Sequence, residues 1–114
     1  MEFDLSLITN SLPLLLQGAL VTLEITAMAV GLGLVFGLLA ALAQLSKFTP
    51  LRLLAKIYVD FIRGTPLLVQ LFVVFYGMPN IGILIDPFPA AVIVFSINEG
   101  AYMAEIIRAG IQSI

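Results

Sequence analysis

The chain has 114 residues, of which 61% are hydrophobic and 11% charged, with a formal net charge of −2. Soluble domains carry about 45–50% apolar and about 25% charged residues, so the composition excludes an ordinary soluble globule and points to an integral membrane protein, which the helical spans along the chain make an all-α bundle. With no cysteine and no histidine, disulfides, thiol nucleophiles, imidazole bases and Cys- or His-ligated metals drop out as well.

Met1, Glu2, Phe3 and Asp4 make an acidic beginning that lacks the basic region of a cleavable signal peptide. Residues 1–10 are too short and too polar to span. They read either as an amphipathic turn at the membrane surface or as a frayed end. From residue 11 to residue 45 the only ionisable side chain is Glu24. A helix of that length would reach about 52 Å, against a hydrocarbon core of about 30 Å. Either a long helix protrudes and tilts, or the segment bends near Gly18 and the span covers about 20–45. The second reading is favoured, with Glu24 near the interface. Ala29, Gly33, Gly37 and Ala41 recur every fourth residue, a ladder of small side chains that admits a second helix backbone. Packing within the chain is the favoured use of it over dimerisation.

Ser46 to Pro50 breaks the pattern. After the break, Arg52, Lys56, Asp60 and Arg63 form one polar stripe on an otherwise apolar helix. Four of the five basic residues, Lys47, Arg52, Lys56 and Arg63, cluster between the end of the first span and the start of the apolar run after Pro66. This puts the Lys47–Arg63 region in the cytoplasm and the amino terminus outside. The apolar run after Pro66 is too short to span alone, so the second span reaches back to about 58–78 and contains Gly64 and Pro66. Pro66 cannot donate to the carbonyl of Ile62, so the helix kinks or opens there. Opened backbone at membrane depth needs protein or a water-lined cavity to satisfy it, and it often lines transport sites. A plain packing kink is the competing reading. Turn residues at 77–82 and 86–89 form a short outer loop, and 88–107 is the third span. On that helix Asn98, Tyr102 and Glu105 share one face, while Glu99 points about 100° away. Polar groups at this depth are costly unless they face a bundle interior or a pathway. Glu105 serves either such a pathway or a plain ion pair with Arg108.

The stretches Arg63-Gly64-Thr65-Pro66-Leu67-Leu68-Val69-Gln70-Leu71 and Ala101-Tyr102-Met103-Ala104-Glu105-Ile106-Ile107-Arg108-Ala109-Gly110-Ile111-Gln112-Ser113 resemble the two signature segments of polar amino-acid ABC transporter permeases. These are the membrane subunits of type I importers for histidine, glutamine, glutamate, arginine and similar solutes. The resemblance implies three transmembrane helices from the amino-terminal part of a five-helix permease. The coupling loop that docks on the ATPase would lie just beyond Ile114. It implies a subunit of the bacterial cytoplasmic (inner) membrane that is not itself an enzyme. ATP and magnesium would sit on cytoplasmic ATP-binding subunits. An extracytoplasmic binding protein would deliver a polar amino acid, and a second copy or sister permease would complete the path. No cofactor or nucleic acid is expected on this chain. The implied substrate-binding residues are Glu105, Asn98, Thr65, Pro66 and Tyr102, with Glu105 facing an ammonium or guanidinium group. The alternative is a small three-helix structural subunit with no solute path.

Overall fold

The computed structural model describes residues 5–114, so the expectation for the acidic start at residues 1–4 lies outside the described residues. The described residues form helices joined by short turns, with no strand among their elements. Helix α1 runs Leu5–Gln44, α2 Thr49–Gly64 and α3 Leu67–Phe72. A π-helical turn follows at Val73–Gly77, then α4 at Met78–Asn80 and α5 at Pro87–Gln112. Helices α1 and α5 are each long and apolar enough to cross a membrane. The second stretch, from α2 through Asn80, qualifies only as a pair of helices bent by 102°.

Helix α1 does not break at Gly18, contrary to the favoured expectation. It is one helix of 40 residues, about 60 Å long. A single glycine costs a helix only about 1 kcal/mol, less than the flanking leucines and the unbroken hydrogen-bond ladder can offset. The hydroxyl of Thr22 also donates back to the carbonyl of Gly18 at 2.9 Å, inside the helix. Residues 5–10, read from sequence as a separate surface turn or a frayed end, belong to the same helix.

The small-residue ladder is spent inside the chain. Ala29, Gly33, Gly37, Ala40 and Ala41 are the buried residues of α1, and they meet the buried Gly100, Ala101 and Ala104 on α5. Contact is closest at two glycines. A Cβ on Gly33 would stand 2.6 Å from Cγ of Glu99, and one on Gly37 would stand 2.6 Å from Cβ of Met103 and 3.1 Å from the backbone nitrogen of Ala104. Backbones this near gain dispersion along their whole length, which is the main force available between helices in lipid.

Helix α2 seats on this pair through Val59, which is fully buried, and through Tyr58. The Tyr58 hydroxyl donates to the carbonyl of Ile97 at 2.6 Å. It needs the missing side chain of Gly100, where a Cβ would lie 2.7 Å from that oxygen. A glycine on one helix thus makes room for the polar tip of another. The opposite face of α2 carries exposed Leu54, Ile57 and Phe61, as an amphipathic helix against lipid or protein should.

Gly37→Ala should destabilise the bundle by about 1–3 kcal/mol, since the new methyl meets a Cβ and a backbone nitrogen rather than a movable side-chain end. Gly18→Ala has nothing within 4 Å of its new methyl and should be neutral or stabilising by about 0.5–1 kcal/mol. Equilibrium unfolding in mixed micelles measures both. Equal effects would show that the α1–α5 approach is looser than described.

Candidate functional site

The site is built around the elbow between α2 and α3. The residue before a proline is pushed out of the helical region, and Thr65 duly adopts φ −106°, ψ 129°. Pro66 follows at φ −59°, ψ 141°. Two consecutive extended residues turn the chain through the observed 102°. Of the two expectations for Pro66, a kink or an opened helix, the structure has the second, an open corner.

Opening the helix frees carbonyls, and the structure shows what takes them. The side-chain amide of Gln70 donates from Nε2 to the carbonyl of Ile62 at 3.2 Å and to that of Thr65 at 3.1 Å. The Thr65 backbone N–H also donates to Ile62 at 3.2 Å, and the Thr65 hydroxyl to the carbonyl of Phe61 at 2.7 Å. The carbonyls of Phe61, Ile62 and Thr65 are therefore satisfied within the elbow. Gln70 was passed over in the sequence as a lone polar interruption of an apolar run. Its position four residues after Pro66, one turn into the next helix, was the available signal.

Asn98, Tyr102 and Glu105 do share one face of α5, and that face meets the elbow. Asn98 donates from Nδ2 to Oε1 of Gln70 at 3.5 Å. The guanidinium of Arg63 lies 5.9 Å from the centre of the Tyr102 ring and 3.8 Å from the Glu105 carboxylate. Arg108 donates to the same carboxylate, from Nε at 3.2 Å and from Nη2. Of the five residues singled out in sequence, Tyr102 and Glu105 meet through Arg63, and Asn98 meets the elbow through Gln70. Thr65 and Pro66 form the corner itself. Glu105 is held between two arginines, so its charge is already matched.

Two hollows flank this seam. One, of about 400 Å³, lies between α2 and the end of α5, with Arg52, Lys56, Asp60, Arg63, Glu105 and Arg108 among its lining residues. The other, of about 340 Å³, lies between α1, the start of α3 and α5, and is lined by Thr22, Thr26, Leu67, Phe95, Asn98 and Glu99 among others. Asn98 and Glu99 therefore share a hollow, although a helical wheel sets them apart. Adjacent residues on α5 reach it together because α1 and α3 close over both. Glu99 is the functional candidate that sequence reasoning missed. Its stem packs over Gly33, and its carboxylate has no hydrogen bond or ion pair among the described residues.

Residues 33–114 match the family of binding-protein-dependent transport system inner membrane components. The chain belongs to this family. It is 50% identical over 102 residues to the L-cystine transport system permease protein TcyB of Bacillus subtilis, covering 90% of this chain and 44% of that protein. It is 41% identical over 115 residues to the arginine transport system permease protein ArtQ of the same organism, covering 100% of this chain and 52% of that one. A solved amino acid ABC transporter with histidines superposes with a TM-score of 0.93 at 43% identity, covering 100% of this chain and 53% of the solved one. The chain thus spans about half the length of the relatives it matches. These matches support an all-α, multi-pass membrane permease and stand against the small structural subunit held as the alternative.

In this permease chain Gln70→Leu should cost about 1–3 kcal/mol, because the carbonyl of Thr65 loses its side-chain donor where water is scarce and that of Ile62 keeps only the Thr65 N–H. Adding Pro66→Ala should recover part of the loss by offering the Ile62 carbonyl the i+4 backbone N–H that proline lacks, beside the one from Thr65. Unfolding free energies of the single and double variants test it. A neutral Gln70→Leu would show that the opened backbone finds other donors.

Proposed function

We propose that this chain lines the solute path of an ATP-driven importer for polar amino acids. The solute's cationic group would be met by Glu99 and its polar groups by Asn98. The observation that carries this is the unspent carboxylate. Glu99 stands partly buried in a hollow of about 340 Å³ with apolar walls from Leu67 and Phe95, a volume at the lower end of the roughly 300–1,000 Å³ common for small-molecule sites. An unpaired carboxylate on a membrane helix is costly, and a protonated amine or guanidinium entering the hollow would offset that cost. Thr22 and Thr26 place hydroxyls on the facing wall. The first of these already donates to Gly18 and keeps its lone pairs for an incoming donor.

Glu105 has a different role in this reading. With Arg63 and Arg108 on it, it ties the foot of α5 to the elbow. Asn98 bridges the two roles, since it lines the hollow while reaching Gln70. Thr65, Pro66 and Tyr102 shape the wall of the path without offering it a free charge.

The relatives' names speak of cystine, arginine and glutamine transport, and these solutes share an ammonium that Glu99 would recognise. We place the protein in the bacterial inner membrane, with ATP-binding subunits, an extracytoplasmic binding protein and a second permease copy or sister permease as partners. The amino terminus lies outside. Family membership and the excess of basic residues in the loop around Lys47 support that arrangement.

Two outcomes are expected in the complete transporter, assembled with its ATPase and binding protein. Glu99→Gln should cut uptake of a cationic amino acid by about tenfold or more at unchanged expression, the loss of one charge-assisted hydrogen bond. Glu105→Gln should instead lower the amount of assembled permease, because it leaves two arginines unmatched. Uptake that survives Glu99→Gln but fails with a well-assembled Glu105→Gln would return the site to Glu105. For orientation, a single cysteine at Lys47 should resist membrane-impermeant reagents applied to intact cells. Labelling from outside would invert the topology.

A further inference from the structure

The hollow between α2 and the end of α5 holds an unbalanced charge. Four of the chain's five basic residues line it, namely Arg52, Lys56, Arg63 and Arg108, against two carboxylates, Asp60 and Glu105. Arg63 and Arg108 are spoken for by Glu105. Asp60 stands one turn beyond Lys56 without forming an ion pair with it, and its field acts on Arg108. Arg52 and Lys56 are therefore left one helical turn apart with no hydrogen-bond or ion-pair partner among the described residues. Two like charges at that spacing repel each other unless an anion lies between them.

A second observation concerns an acceptor. Oε1 of Gln44, another lining residue of the same hollow, is buried and has no hydrogen-bond donor. Buried acceptors in native proteins are nearly always paired. The occupant should then bring a donor as well as a negative charge. Apolar surface reaches the hollow at Leu53 of α2, an exposed side chain among its lining residues. The basic-loop asymmetry places this end of the bundle at the cytoplasmic leaflet, where anionic lipids concentrate.

We propose that this hollow binds a phosphate ester carrying a hydroxyl, as in the headgroup of an anionic glycerophospholipid. The phosphate sits between Arg52 and Lys56, and the hydroxyl donates to Gln44. When the source is lipid, the acyl chains leave the hollow past Leu53. The site is separate from the hollow at Glu99 and does not depend on which solute is carried.

The test is binding of short-chain phosphatidylglycerol to the assembled, detergent-solubilised permease, with phosphatidylcholine and inorganic phosphate as comparison ligands. Phosphatidylglycerol should bind and phosphatidylcholine should bind far less. Each cation removed should weaken binding about fivefold, so the Arg52→Gln, Lys56→Gln double variant should lose about 25-fold. Lys47→Gln, outside the hollow, should change it less than about twofold. Gln44→Leu should weaken phosphatidylglycerol while leaving inorganic phosphate unaffected. Displacement by inorganic phosphate at concentrations matching the lipid's would make free phosphate the occupant, and a requirement for acyl chains would make it lipid. Unchanged binding in the double variant, or an equal loss in Lys47→Gln, would overturn the site. Should the double variant fail to assemble, the wild type decides. Its affinity must fall as salt rises from about 50 to about 500 mM, and a flat response would equally overturn the proposal.

Discussion

The close approach of α1 and α5 is the constraint on which the remaining geometry depends. In lipid there is no gain from hiding one apolar helix against another, so the association rests on how near two backbones can come. Gly33 and Gly37 on one side, with Gly100, Ala101 and Ala104 on the other, set that distance. Once it is set, the polar residues of α5 have fixed neighbours. The stem of Glu99 rests on Gly33, and Tyr58 reaches across Gly100 to the carbonyl of Ile97. A shift of either helix by the width of a methyl group would move the Glu99 hollow, and with it the seat of α2.

The elbow depends on that seat. A proline in a membrane helix is tolerable when the groups it disconnects find partners, and here Gln70 supplies them from the next turn. Because Gln70 also touches Asn98, the corner is held to α5 by a side-chain link in addition to packing. Arg63 adds a second link a turn earlier, to Tyr102 and Glu105. The polar face of α5 thus serves first as the attachment of a broken helix. That assignment explains how three polar or charged residues can stand in one line on a helix of this depth.

The chemistry left over is economical. Arg63, Glu105 and Arg108 are matched against each other. Glu99 in one hollow, and Arg52, Lys56 and Asp60 in the other, form no ion pair among the described residues.

Much of this was legible in the sequence. Composition alone set the membrane class, the period of four in Ala29, Gly33, Gly37 and Ala41 marked a packing face, and the two motif stretches carried the family. Pro66 announced a break, and the shared face of Asn98, Tyr102 and Glu105 was correct. These are local properties, fixed by side-chain size, proline chemistry and the pitch of a helix. The tertiary structure decided which of those features was already occupied. Whether Glu105 is free depends on where Arg63 arrives from another helix. Whether Gly18 bends α1 depends on a balance of about 1 kcal/mol against its flanks. Glu99 shares a hollow with Asn98 only because α1 and α3 converge on both, a fact that no helical wheel of α5 contains. Sequence determines which groups a helix offers, and long-range packing determines which of them remain unpaired.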